Sequence, residues 1–582
     1  MWLSRRYTGG MIRTLLALSL LHLPLYAQFD NLVTTDDGST VLFQSQWRFA
    51  GSSDGNQSKV FRWDAQGFAS FSAPPNLQPA SPPTAFNPII SGDGSITGYI
   101  SYTGCAGGAA CFYTPYLQVS SGPALPPTFP LSPLLQISRD GRYVASGTTV
   151  LDRNSGTMQV VGAGDPTLSN ALPIGGRFGI GNNGGMLVLV LHRMFIISTV
   201  DLVLSDQPGT VIVNTSAVYT AIVSAAENRV VYEIPAPSGQ TAHQLWSYDM
   251  ASRQANLLET FDFGSYVSVS QYQPAISNDG MRLAYRRINP TTRQWEAVVR
   301  DFSAGTTKVV GTMLASQNNF SITGDGKSVW LHRSDGRLVR IDIDSLTATE
   351  TTGRHAWVTQ REGAPAYGSY NHLFGGGFST GGLPTDLTVD LSGLTCPILS
   401  AGTQEMDIEI PWEAYLGEFT FTLRNSSSPF ESVLPVYLVT LTPTFERSGM
   451  PNDANRQIIL AHQDFHGPVT FSDPAAGGET LHLYMTGLGD VQPRPATGQA
   501  PSMVAFASQR PQCWVTSPIA PAQTGVPVLF AGIAPGMIGM YQVDITIPAS
   551  PASTVMTLGC VQQGLSGGLA GDYGSFPVVT GK

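Results

Sequence analysis

Over the first two thirds of the chain, apolar residues alternate with polar ones in short runs, and each run starts just after a polar turn. "AISNDGMRLAYRR" (275–287) and "SITGDGKSVWLHR" (321–333) are two such runs, with Asp-Gly at the same place in each. Asp-Gly and Asn-Gly tolerate the positive φ that a tight hairpin turn requires. After the turn, Leu283 and Tyr285, or Val329 and Leu331, alternate with the period of a half-buried strand. Further copies are "TTDDGSTVLFQS" (34–45), "IISGDGSITGYIS" (89–101) and "QISRDGRYVASG" (136–147), with weaker ones in "GIGNNGGMLVLVL" (179–191) and "IVSAAENRVVYEI" (222–234). Their centres read as Gly38, Gly94, Gly141, Gly184, Asn228, Gly280 and Gly326, a mean pitch of about 48 residues.

A second strand pair follows in several copies, as in "QLWSYDMASRQANLL" (244–258), "WEAVVRDFSAGTTKVV" (295–310) and "RLVRIDIDSLTATE" (337–350). Four short strands per repeat of this length predict a propeller blade, and seven copies predict about seven blades. Six or eight stay open because the fourth and fifth copies are degenerate. A large β-sandwich with repetitive turns is the competing reading.

"LFGGGFSTGGLP" (373–384) ends the repeats and reads as a Gly-rich linker over 371–384. It contains a formal G-x-S-x-G at Gly377, Ser379 and Gly381, but no helical pattern follows Ser379, so the strand-turn-helix context of a nucleophile is missing. Beyond it the pattern is again that of strands. "PILSAGTQEMDIEIPWE" (397–413) lines up with "PVLFAGIAPGMIGMYQVDITIPAS" (527–550), predicting two sandwich modules at 385–466 and 467–582, the first whole or truncated.

The set of Ser-x-Asp-Gly turns, each followed by an apolar strand, resembles the TolB-type propeller repeats over 28–370. At the other end, "LHLYMTGLGDVQPRPATGQ" (481–499) and "VLFAGIAPGMIGMYQVDITIP" (528–548) resemble an uncharacterised C-terminal module of secreted acidobacterial proteins. That module typically shows Gly-Thr-Gly-Leu-Gly, Pro-Ala-Thr-Gly, and Ala-Gly-x-Ala-Pro-Gly with Tyr-Gln-Val. Here Met485 replaces the first Gly, and Asp544 stands where Asn is usual. The resemblance implies an Ig-like sandwich at the C-terminus of an exported protein and brings no known catalytic residue.

Composition narrows the classes. A chain of 582 residues is too long for one core. Charged residues are 12%, and Gly with Pro make up about 18%, which suits many short strands and turns. A net charge of -10 argues against a nucleic-acid partner, since phosphate binding needs surplus Lys and Arg. Residues 1–27 read as a signal peptide: Arg5, Arg6 and Arg13 precede the apolar "LLALSLLHLPL", and "LYA" offers a cleavage site. Met1 or Met11 is the start, and the Arg5-Arg6 pair lacks the apolar residues of a twin-arginine signal. No Cys follows Ala27 to take a lipid. "MLVLVLHRMFII" (186–197) is too short to span a bilayer and is interrupted by His192 and Arg193.

Candidate chemistry is sparse. In "AHQDFH", His462, Asp464 and His466 would share one face of a strand, but a metal site needs a further ligand that the sequence does not specify. They read as a polar strand edge, His192 and His332 as echoes of the repeat, and Trp246, Trp295 and Trp330 as packing between blades. No H-E-x-x-H, P-loop or dinucleotide fingerprint is found, and paired carboxylates for glycoside chemistry need geometry to be recognised.

Five cysteines in an exported chain predict pairing with one left over. Cys105 and Cys111 bracket "AGGAA", short enough to staple a hairpin tip, a loop worth at most about 2–3 kcal/mol. Cys513 and Cys560 lie on strand-like segments and pair next, leaving Cys396 as a buried thiol; the alternative gives Cys396 one of the last two. No catalytic, cofactor-binding or metal residue is expected. The reading is an exported, non-catalytic binding protein. Its propeller is the recognition surface for a protein or polysaccharide, and its Ig-like modules serve as spacer or surface association. A propeller hydrolase or lyase acting on an extracellular polymer, and a structural envelope protein, are the alternatives, since fold does not decide between them.

Overall fold

The computed structural model describes residues 30–45, 48–49, 58–71, 84–106, 110–126, 128–130, 135–161, 171–173, 179–194, 197–205, 210–236, 242–262, 274–292, 294–313, 319–333, 335–379, 381–449, 456–551, 553–563 and 569–579. The expected signal segment at 1–27 lies outside them. Among the described residues there are strands and turns but no helix, and hence none long and apolar enough to cross a membrane. The chain divides into two compact units, one of residues 1–46, 57–333 and 339–351, the other of 47–56, 334–338 and 352–582.

The first unit is propeller-like. Seven antiparallel sheets follow one another among its described residues, at 30–70, 84–119, 135–160, 171–215, 220–262, 275–313 and 320–351. Consecutive strands pair in each, four per sheet except for three in the second. The Ser-x-Asp-Gly phrase joins the first two strands of a sheet, and its chemistry accounts for its recurrence. In five turns the Ser or Thr hydroxyl donates to the Asp Oδ1: Thr35 to Asp37, Ser91 to Asp93, Ser138 to Asp140, Ser277 to Asp279 and Thr323 to Asp325, at 2.5–2.7 Å. That oxygen also accepts the backbone N–H two residues on, as from Met281 to Asp279 at 2.9 Å. The hydroxyl oxygen accepts the N–H of the next residue, as from Arg282 to Ser277 at 2.9 Å. The Gly takes a φ near 70°, and its N–H donates to the Ser or Thr carbonyl, as Gly280 does to Ser277 at 3.0 Å.

The fifth copy corrects the sequence reading. Its centre is Glu227 and not Asn228: Glu227 holds the left-handed backbone, with φ 55°, and donates its N–H to the Ser224 carbonyl at 2.9 Å. Asn228 takes over the Asp's task, accepting the Ser224 hydroxyl at 2.7 Å. Glu227 tolerates the strained position while its carboxylate accepts the N–H groups of Asn183 and Gly185 in the fourth turn, at 2.9 and 3.0 Å.

Burial grades outward through each sheet. The inner strands Leu135–Ile137 and Phe320–Ile322 are buried throughout, as are the second strands Val41–Ser45 and Ser328–His332. Thr157–Val160, at the outer edge, is exposed throughout. Strict alternation predicts one wet face per strand; the inner strands lack one because neighbouring sheets cover both faces. Trp330 is fully buried, donates its Nε1–H to the Gly38 carbonyl at 3.0 Å, and meets Trp63 edge-on at 4.8 Å. Here the seventh sheet packs on the first.

The second unit holds two pairs of packed sheets. One pair sets Trp357–Gly363, Tyr370–Gly376, Glu405–Glu409 and Ile398–Ala401 against a sheet of Arg48–Phe49, Phe430–Leu438, Gly417–Asn425, Leu387–Leu391 and Leu394–Thr395. Leu373, Met406 and Ile408 meet Val389, Phe421 and Leu423 in the core between them. The other pair buries Leu481, Leu483, Val543 and Ile545 against Val515, Leu558 and Phe576. The expected linker over 371–384 is thus corrected for its first part: Tyr370–Gly376 is a strand paired on both edges. Its glycines give room rather than flexibility, since a Cβ on Gly375 would lie 1.9 Å from the Trp357 carbonyl and one on Gly376 would lie 2.3 Å from the Trp357 ring. The expected boundaries move with it. Residues 352–370, expected in the propeller, belong to the second unit. Phe445, Ile458 and Leu460 join the core of the later sheet pair, ahead of the expected start at 467.

Cys513 and Cys560 face each other on adjacent strands of one sheet, Cα atoms 4.1 Å apart, and are joined by a disulfide. Cys396 is a buried thiol, 2% exposed. Cys105 and Cys111 are register partners on a hairpin, and their side chains lie outside the described residues. Peptide mapping without reduction is expected to return Cys105 linked to Cys111 and Cys513 linked to Cys560. A peptide joining Cys396 to any other cysteine would overturn that assignment.

Candidate functional site

The turns of the first unit bond to one another in a closed circuit. Asp36 N–H donates to the Gly92 carbonyl at 2.7 Å, Gly92 N–H to Arg139 at 2.5 Å, and Asp140 N–H to the Asn182 side-chain oxygen at 3.1 Å. Asn182 N–H then donates to Ala225 at 2.9 Å, Ala226 to Asn278 at 3.0 Å, Asn278 to Gly324 at 2.8 Å, and Asp325 back to Asp36 at 3.2 Å. The circuit gathers all seven turns on one face.

Three of the turns also meet through side chains. The Arg139 guanidinium, 7% exposed, pairs with Asp36 Oδ1 at 2.5 Å, donates to the Thr34 carbonyl at 2.9 Å, and donates from Nε to Asn278 Oδ1 at 3.2 Å. Asn278 Nδ2 donates to the other Asp36 oxygen at 2.8 Å. Burial lowers the Arg139 pKa from its ordinary value, and the Asp36 charge opposes that shift. The sequence made room for this cluster. A Cβ on Gly92 would lie 2.2 Å from Asp36 Oδ2, and one on Gly324 would lie 1.9 Å from Asp36 Oδ1.

Around the cluster the third turn position is exposed in every copy, and it is Asp37, Asp93, Asp140, Asp279 or Asp325 in five of them. Each turn hydrogen bond described above uses Oδ1, which leaves the second oxygen acceptor capacity, though at Asp325 that oxygen also meets Lys327 at 3.8 Å. Asp37 and Asp93 are held below the usual carboxylate range: the modest burial of each acts in the other direction, and hydrogen bonds from Ser39 and Thr35, or from Ser91 and Ser95, outweigh it. A cleft of about 360 Å³ between the first two turns brings Asp36, Asp37, Asp93 and Arg62 together. A second, of about 550 Å³, is lined by Tyr143, Asp152, Asn183 and Glu227. The face is an acidic rim around a filled centre.

The other residues singled out from sequence are not part of these turns. Ser379 Oγ donates to the Gly382 carbonyl at 2.6 Å and accepts the Gly381 N–H at 3.0 Å, closing its own loop. His192 and His332 both lie on the second strand of their sheets, as repeat echoes do. Trp295 lies under the Arg286 guanidinium at 4.8 Å, and Trp246 Nε1 donates to Gln244 at 3.2 Å.

Within the second unit, His372 was missed from sequence because its partners come from distant strands. Its Nδ1 meets Asp407 at 2.6 Å and Glu405 at 3.2 Å, and its Nε2 meets Glu446 at 2.6 Å. Carboxylates only accept, so both ring nitrogens donate and the ring is an imidazolium. Burial alone would lower its pKa, but the bonds to Asp407, Glu405 and Glu446 push it up to about 12. Glu409 is raised to about 7 by burial, against the Gly498 N–H that favours its charged form.

No family model matches the chain, and no curated protein matches it. Among solved structures it is similar to TolB from Acinetobacter baumannii, at 13% identity and a TM-score of 0.30 over 58% of this chain and 67% of that one. An oligogalacturonate lyase in complex with manganese aligns at 12% identity and a TM-score of 0.26, over 53% of this chain and 86% of that one. The β-propeller domain of the Trilobed protease from Pyrococcus furiosus aligns at 13% and 0.28, over 56% and 97%. At TM-scores this low the likenesses carry no functional argument, and the propeller-like ring rests on its own hydrogen bonds.

Two outcomes are expected. Asp36→Ala removes the carboxylate paired with the buried Arg139 guanidinium, and should cost the first unit about 3 kcal/mol in urea denaturation, the low end for a buried pair because the Asp36 side chain is 39% exposed. Adding Arg139→Met should recover part of the loss. In the second unit, His372 and Glu409 both bind protons more tightly folded than unfolded. The His372 contribution is complete below pH 6.5 and declines as pH rises toward its folded value; that of Glu409 declines from about pH 4.5 to 7. Burial holds the His355 pKa down at about 3, so that ring offsets the Glu409 slope between pH 5 and 6.5. Glu409→Gln should tilt that limb upward, and the melting temperature of the second unit should fall between pH 6.5 and pH 8. A rise over this range would refute the assignment.

Proposed function

We propose that the chain is an exported binding protein: a seven-bladed β-propeller whose acidic turn face recognises an extracellular protein or polysaccharide, followed by tandem Ig-like modules that act as spacer or surface association. Export after removal of 1–27 is supported by the Cys513–Cys560 disulfide, which belongs to an oxidising compartment. The observation that carries the binding reading is the rim itself, with five exposed aspartates at equivalent turn positions on the face that the hydrogen-bond circuit assembles. Such a rim favours ligands that present cationic groups or dense hydroxyl donors, and repels phosphate polymers.

The test exploits the turn. Asparagine keeps the Oδ1 acceptor that the turn needs, and Asn183 already occupies this position in the fourth copy. Asp93→Asn, Asp140→Asn, Asp279→Asn and Asp325→Asn combined should leave the fold intact and remove four charges from the rim. The purified chain, screened against cationic, neutral and anionic polysaccharides and against basic peptides, is expected to bind without turnover. The fourfold variant should bind at least tenfold more weakly and with less salt dependence. Reproducible turnover of any polymer would replace this reading with a hydrolase or lyase.

A further inference from the structure

The stretch "AHQDFH", expected to be a strand edge, is a tight loop. His462 N–H donates to the Gly467 carbonyl at 3.1 Å, and Phe465 sits between them with φ 60°. The loop stacks His462 on His466, ring centroids 4.2 Å apart and 20° from parallel. It also faces both rings toward Asp473, eleven residues beyond His462. His466 Nε2 lies 3.0 Å from Asp473 Oδ2, and His462 Nε2 lies 3.2 Å from the Asp473 carbonyl and 3.6 Å from Oδ2. These three ligand atoms lie within 4.8 Å of one another.

Each ring is held from behind by a carboxylate. His462 Nδ1 meets Glu479 Oε1 at 2.8 Å, and Glu479 is itself fixed by the N–H groups of Gln463 at 3.1 Å and Ala476 at 2.7 Å. His466 Nδ1 meets Asp464. A carboxylate only accepts, so both Nδ1 atoms donate, and a neutral ring then presents its Nε2 lone pair. Both Nε2 atoms and the oxygens of Asp473 thus lie close together as two nitrogen donors and a carboxylate. Protons would stack two imidazolium rings against each other; a divalent ion satisfies both nitrogens and the carboxylate at once. His372 differs in that all its carboxylates gather on one ring, with no second histidine drawn to them.

We propose that His462, His466 and Asp473 form a binding site for a divalent transition cation, zinc by its donor set, with Glu479 and Asp464 as the outer carboxylates that orient the rings. Two imidazoles and one carboxylate suit zinc and leave a fourth position open, whereas calcium and magnesium take oxygen ligands. The carboxylate–histidine–metal relay is the arrangement that fixes the tautomer of a ligating histidine. Convergence on one ion requires the His466 ring to turn out of the stack, and its 49% exposure gives it room. The bound ion would tie together the loop that carries Phe465 and Phe471, which are 56% and 67% exposed.

Equilibrium dialysis of the untagged chain against zinc chloride at neutral pH tests this, with the visible d–d spectrum of cobalt(II) as a second readout. The wild type is expected to hold one equivalent that His466→Ala and Asp473→Ala each weaken at least tenfold. Glu479→Gln should weaken it roughly 10–100-fold without removing a ligand. Should His466→Ala not fold, as judged by its metal-free melt, His466→Asn serves in its place. The proposal is overturned if the wild type takes up no zinc at about 100 μM, or if it takes up zinc that the His466 and Asp473 variants hold equally well.

Discussion

The backbone bond from each turn to the next is the constraint on which the first unit depends. It draws on the second and third residues of the turns for N–H and carbonyl groups, with the Asn182 side chain standing in as acceptor between the third and fourth turns. The hydroxyl-to-carboxylate clasp of Ser277 and Asp279, and its equivalents, supplies these turns from purely local chemistry. Each such bond is worth only about 0.5–1.5 kcal/mol net. Closure adds to its effect, because the Asp325 bond to Asp36 joins the seventh turn back to the first. The sheets then follow from the circuit: their inner strands are pressed together and buried, and their outer strands are left to water.

Closure also decides what the face can offer. With Arg139, Asp36 and Asn278 bonded to one another, the centre is occupied by groups that satisfy each other, and Gly92 and Gly324 leave them the space. Burying a guanidinium is costly unless its donors are used, and here it has partners on three sides. The charge left over for a ligand is therefore at the rim, in aspartates that the turn needs for one oxygen only. On the proposed binding reading, structure and recognition would draw on the same side chain through different atoms.

How much of this was legible follows from range. The Ser-x-Asp-Gly turns were readable because every atom that makes them lies within six residues, and their pitch led directly to the sheets. The fifth turn was misread by one residue since Glu227, a poor left-handed residue by propensity, is held there by Asn183 and Gly185 over forty residues away. The glycines at 375 and 376 were read as a linker on composition, whereas their reason for being glycine is Trp357, which composition does not reveal. The Arg139 cluster was written in the sequence only as two glycines and an arginine at the second turn position. Nothing local distinguished them from loop residues.

The second unit extends the point to charge. His372 is half-buried and His462 buried, each with carboxylates on it; from sequence His372 has no distinguishing mark, and His462 reads as part of a polar strand edge. What separates them is where the partners stand. Asp407 and Glu446 flank the His372 ring from opposite sides, so two protons complete it and the result is a charge clamp between strands. Glu479 and Asp464 stand behind two rings whose other nitrogens both point at Asp473, the arrangement that the proposed divalent cation would join. The same residue types give a buried ion cluster or a metal site according to whether their acceptors surround one ring or draw two together. Only the folded chain decides which.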